Sequence, residues 1–211
     1  MCWCFIVSCS NSVKNTSSAN ETELDTLPAK KVSDRFRNKL RGKALEEYLQ
    51  NSPAIQLTKK YKAPFDKLEF DKVIAYDYDG DEEAFPSIIS RTGNFIPIID
   101  KQIALTEKQT DYLIDNILTA NSTYGGSTAA CFQPHMGIIF FKDSERVMVI
   151  DICLGCNFLE TDKDIPATRF HNHKIEEHII PDNGFSKNGK KRIRNLATEL
   201  DFYYSNKNEI H

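Results

Sequence analysis

Gly137-Ile138-Ile139-Phe140-Phe141-Lys142-Asp143-Ser144-Glu145-Arg146-Val147-Met148-Val149-Ile150-Asp151-Ile152-Cys153-Leu154 sets two apolar runs around a short charged turn. Both runs are rich in β-branched and aromatic residues, the types that suit a pleated, packed surface. Both runs are apolar on both faces, so the hairpin belongs at the centre of a sheet. A loop symmetric about Ser144 and Glu145 predicts Phe140 opposite Val149, Met136 opposite Cys153 and Gln133 opposite Cys156.

Further elements are legible on either side. Val32, Phe36, Leu40, Ala44 or Leu45 and Tyr48 recur at helical spacing and predict one amphipathic helix over Ala29 to Gln50, ended by Asn51-Ser52-Pro53. Phe65 to Asp79 alternates and thickens into Val73-Ile74-Ala75-Tyr76, a strand signal that breaks at Asp79-Gly80. Pro86 to Asp100 is apolar but interrupted by Gly93 and Pro97, and reads as irregular or edge strand. Thr106 and Gln109 have the spacing of a capping box, with Tyr112, Leu113, Ile117 and Leu118 forming the buried stripe behind it. Tyr124-Gly125-Gly126-Ser127 reverses the chain. Ile193, Leu196, Ala197, Leu200 and Tyr203 or Tyr204 make a last helical stripe, with Ser186 as its cap. The order predicts an α+β domain in which about three helices cover one face of a mostly antiparallel sheet.

Three thiols and an imidazole gather at the open end of the hairpin: Cys131, His135, Cys153 and Cys156. Strand alternation puts Cys131, His135 and Cys156 on one face and Cys153 on the other. Three chemistries fit these residues. One is a structural disulfide, most simply Cys131 to Cys156, with Cys153 as a small buried apolar residue. Another is tetrahedral zinc, since Cys-x3-His followed by Cys-x2-Cys has the ligand types of a closed Cys3His site, and zinc is the one cofactor the chain suggests. The last is thiol exchange at Cys153-Leu154-Gly155-Cys156, although such thiolates are usually activated at a helix N-terminus and this motif ends a strand.

The chain opens with Trp3-Cys4-Phe5-Ile6-Val7-Ser8-Cys9, followed by the polar run Ser10 to Asn20. An apolar run, a small residue and a cysteine resemble the end of a bacterial lipoprotein signal, of the Bacteroides and Flavobacterium type. That resemblance covers about the first twenty residues. It implies residues 1–9 as a signal whose start codon lies further upstream and Cys9 as the lipidated residue; composition, length and element order then give 10–28 as a disordered tether and 29–211 as one α+β domain. The implied address is the cell envelope, on its periplasmic or outer surface, with the membrane reached through acyl chains such as palmitate. The block Tyr124-Gly125-Gly126, Cys131-Phe132-Gln133-Pro134-His135-Met136-Gly137 and Ile152-Cys153-Leu154-Gly155-Cys156-Asn157 is similar to one in uncharacterised bacterial lipoproteins, over roughly thirty-five residues. It implies a defining site at the cysteines and carries no catalytic role with it.

Other clusters are weaker. His171, His173 and His178, beside Glu176 and Glu177, are a minor metal candidate, and exposed loop histidines fit the same pattern. Asp77, Asp79, Asp81, Glu82 and Glu83 read as a solvated acidic turn, because Gly80 and Ile88 break the calcium-loop pattern. Lys187, Lys190, Lys191, Arg192 and Arg194 crowd the start of the last helix, where cations oppose the helix dipole, and suit a lipid phosphate or an acidic partner if not a solvated face. A net charge of -3 with 27% charged residues lacks the strong basicity of a nucleic-acid binder. No apolar stretch reaches the roughly 18 residues of a membrane span. No nucleophile, base and orienting acid stand at recognisable spacing. The sequence therefore reads as a lipid-anchored binding or structural module for an envelope partner or small ligand, with a zinc or thiol-redox protein as the alternative.

Overall fold

A computed structural model of the protein describes residues 39–166, 172–175, 178–181 and 183–206. The proposed signal and tether, Cys9 included, lie outside the described residues. Among the described residues the first helix, α1, spans Gly42–Asn51 and buries Leu45 and Leu49. Of the predicted helix over Ala29 to Gln50, the part before residue 39 lies outside the described residues; at Leu40 the backbone joins the sheet edge instead, its N–H donating to the Ile99 carbonyl at 2.8 Å.

The main sheet has five strands, all antiparallel: β1 (Lys72–Tyr78), β2 (Ile99–Ala104), β4 (Met136–Lys142), β5 (Glu145–Cys153) and β6 (Phe158–Thr161), in the order β2-β1-β4-β5-β6. The apolar hairpin β4-β5 is therefore central, as its two-faced composition requires. Two small sheets accompany it. One pairs β3 (Tyr124–Gly126) with β9 (Gly184–Phe185), and the other pairs β7 (Asn172–Ile175) with β8 (His178–Pro181).

One face of the main sheet carries Val73, Ala75, Ile138, Phe140, Ile150 and Ile152. The helices α2 (Glu107–Tyr112) and α3 (Lys187–Glu199) cover it, together with a π-helical turn over Leu113–Leu118 that continues α2. Thr106 and Gln109 complete the predicted capping box, and Ser186 caps α3 by accepting from the Gly189 N–H. The other face carries Ile74, Tyr76, Tyr78, Ile139 and Phe141. It is covered by α1 and by Ile88, Ile96 and Ile98 from the irregular stretch before β2. The helices thus divide between both faces instead of sharing one. An unbroken apolar strand leaves no face for solvent, so the second layer is a physical requirement.

The hairpin register differs from the symmetric expectation by two residues beside the turn and by one beyond it. Asp143 and Ser144 both have positive φ, 50° and 69°, so they form a two-residue turn that pairs Lys142 directly with Glu145. A bulge then falls between Phe140 and Phe141, which brings Phe140 opposite Met148 and Met136 opposite Ile152. Gly137 sits where β4 meets the second layer. A Cβ there would lie 2.7 Å from the Ile88 Cδ1, so the glycine is what lets Ile88 reach the sheet.

Candidate functional site

The sulfurs of Cys153 and Cys156 form a disulfide that closes the turn after β5. Both residues are buried, at 0% and 2% exposure, whereas Cys131 is exposed and free. This corrects the expected Cys131–Cys156 bridge and the expected buried Cys153 thiol. Alternation does not extend through this region, because β4 begins only at Met136 and β5 ends at Cys153. Beyond Cys153 the backbone turns sharply, bringing the two cysteines of the same motif together.

The neighbouring segments wrap the bridge. The Ala129 N–H donates to the Cys156 carbonyl, and the Gln133 N–H points at the Cys156 Sγ at 3.1 Å. Phe132 and Phe158 pack as a ring pair, centroids 4.8 Å apart, in one small cluster with the two sulfurs. Asn157, at φ 71°, donates from its side-chain amide to the carbonyls of Ser127 and Phe185 and so ties the turn to the β3-β9 ribbon.

Next to this turn lies a cleft of about 110 Å³. Its apolar lining comes from Met136, Ile152 and Leu154, and its polar lining from His135, Lys190, Arg194 and the turn Tyr204-Ser205. Two of its cations, Lys190 and Arg194, stand one helical turn apart on α3. The His135 ring stacks on that of Tyr204, with centroids 6.3 Å apart, while its backbone carbonyl accepts from the Tyr78 N–H. Ser205 is fixed from below by Asp77, whose carboxylate also accepts the backbone N–H groups of Tyr203 and Tyr204.

Sequence reasoning placed Asp77 in a solvated acidic turn. It is instead 1% exposed. Burial pushes its carboxyl above the usual range, and the four hydrogen bonds from residues 203–205 pull the other way. Asp151 was missed altogether. On the opposite face it accepts from the Tyr78 and Ser87 hydroxyls and the Ile88 N–H, and burial likewise raises its carboxyl. The available signal was period two: Asp77 shares a face with Val73 and Ala75, and both carboxylates interrupt runs that are apolar on both sides.

The predicted basic patch divides. Lys190 and Arg194 line the cleft, while Arg192 caps backbone at the π-helical turn, donating to the Asn116 carbonyl at 3.0 Å. His135 is the only member of the proposed Cys3His set that lines the cleft, and two of the three thiols are taken up by the disulfide. Among the described residues no group of three or more His, Cys, Asp or Glu side chains is arranged to hold a metal ion. His171 lies outside the described residues, and His173 and His178 fall on β7 and β8, in register with Ile180 and Ile175. No helix among the described residues is long and apolar enough to cross a membrane. No protein-family model, curated protein or solved structure matches the chain.

Proposed function

We propose that the protein is a lipid-anchored component of a bacterial cell envelope, held through Cys9, whose α+β domain works as a binding module with a disulfide-clamped hairpin end. The observation that carries this reading is the buried Cys153–Cys156 bridge. Disulfides persist in oxidising compartments outside the cytosol, which agrees with the lipoprotein-like start of the sequence. The bridge has a structural setting: its sulfurs pack with Phe132 and Phe158 at the end of β5. The cleft beside it, with apolar and cationic lining, is the surface suited to a ligand.

Intact-mass measurement of protein from a native-type bacterial host tests the anchor. A mature N-terminus at Cys9 bearing acyl chains, with Cys9→Ser abolishing both acylation and membrane fractionation, is the expected result. An unmodified Cys9 with the protein wholly in the soluble fraction would overturn it.

A second reading, zinc or thiol-redox chemistry at Cys131, His135, Cys153 and Cys156, draws on the exposed Cys131, which lies in the segment wrapping the bridge. It requires the bridge to open. Stoichiometric zinc in purified protein, together with reduced Cys153 and Cys156, would favour it over the structural disulfide.

A further inference from the structure

The charge around the cleft is unusual for this chain. The protein as a whole carries a net charge of -3, yet Lys190 and Arg194 line the cleft and no carboxylate does so among the described residues. Asp77, beneath Ser205, directs both oxygens at the backbone and hydroxyl of residues 203–205. The first turn of α3 has no acidic residue and carries Lys187 and Lys190, so these cations sit at the positive end of the helix. Lys190 and His135 also have contacts within the protein, so a ligand would add to a site that is already organised.

We infer that the cleft between the Cys153–Cys156 turn and α3 binds a small organic oxyanion, its phosphoryl head held by Lys190 and Arg194 and its short apolar part against Ile152 and Leu154. The guanidinium of Arg194 offers paired donors of the kind that match two phosphate oxygens, and Lys190 adds a point charge. The volume of about 110 Å³ suits a small oxyanion with a short substituent, not a large ligand. The apolar lining favours a monoester with a short alkyl group over the bare ion. This inference rests on the binding-module reading and names the ligand class for its site.

Calorimetric titration of the full chain, with the disulfide intact, tests it using inorganic phosphate, propyl phosphate and propanol as probes. Propyl phosphate is expected to bind more tightly than phosphate, with propanol silent. The variant carrying Lys190→Gln and Arg194→Gln should weaken both phosphates by about tenfold or more. Lys187→Gln, on the same helix but outside the cleft lining, should leave them within about twofold and reports whether mere surface charge is responsible. Vesicles containing phosphatidylglycerol distinguish the source: competition with propyl phosphate identifies a lipid headgroup, and its absence a soluble ester. Phosphate binding that is undetectable, or unchanged in the double variant while the fold is retained by circular dichroism, would overturn the inference. Acylation of Cys9 is measured independently, and propanol binding without phosphate would keep a binding module while removing its anionic ligand.

Discussion

Asp77 and Ser205, 128 residues apart in the sequence, meet in the core: one carboxylate oxygen lies 3.1 Å from the Ser205 N–H and 2.9 Å from its hydroxyl. The other oxygen accepts the N–H groups of Tyr203 and Tyr204. One strand side chain thereby satisfies three consecutive backbone donors, Tyr203 to Ser205, at the entry to the short 3₁₀ turn Tyr204–Asn206 and positions the tyrosine that stacks on His135.

Removing that acceptor strands several buried donors at once. Asp77→Ala is expected to cost about 3 kcal/mol, whereas Ser205→Ala, which removes a single donor, should cost about 1 kcal/mol. Urea unfolding of the two variants checks the ranking. Equal losses would mean that the turn is held by packing and not by the carboxylate.

The pH dependence of these acids runs against ordinary acid denaturation. Burial raises both Asp77 and Asp151, so each holds its proton more tightly in the folded than in the unfolded chain. Their contribution is fully present below the ordinary aspartate value of about 4 and is lost as pH rises through the higher folded-state value. Between about pH 4 and about pH 7, Asp77→Asn should therefore show a smaller fall in Tm than the parent protein. An equal fall in both would refute the assignment of this slope to Asp77.

The three cysteines of the folded domain should separate by reactivity. In protein that has not been reduced, iodoacetamide is expected to label Cys131 and leave Cys153 and Cys156 unlabelled until reductant is added, as read by peptide mass spectrometry. Replacing both bridge cysteines with alanine should cost only about 2 kcal/mol, because the closed loop is so short. Labelling of Cys153 without reductant would contradict the buried bridge.

The hairpin turn offers a gain in stability. Asp143 and Ser144 both occupy the left-handed region, where a side chain costs about 1–2 kcal/mol. Ser144→Gly relieves that cost at one position and, after the added freedom of glycine in the unfolded state, should raise stability by about 0.5–1 kcal/mol. A chemical denaturation midpoint that fails to rise would argue that the turn differs from the two-residue form.

The central hairpin, the capping box at Thr106 and Gln109, the Ser186 cap and the stripe of Ile193, Leu196 and Ala197 were all legible in the sequence. Each depends on side-chain pattern and on bonds spanning a few residues, and local chemistry specifies these without knowledge of the rest of the fold. The apolar composition of β4 and β5 likewise placed the hairpin centrally, but the covering of the second face by α1, Ile88, Ile96 and Ile98 was shown only by the tertiary structure.

Register and partnership were decided elsewhere. The turn at Asp143 and Ser144 displaces the β4-β5 pairing by two residues and a bulge takes back one, and a sharp turn after Cys153 replaces strand alternation, so the bridge joins neighbours in the motif and not Cys131 to Cys156. The role of Asp77 depends on a turn that arrives more than a hundred residues later, and the cleft exists only because α3 crosses the end of the hairpin. Such features follow from long-range packing, in which the free energy of a contact depends on both partners being brought together. No single stretch of sequence contains both.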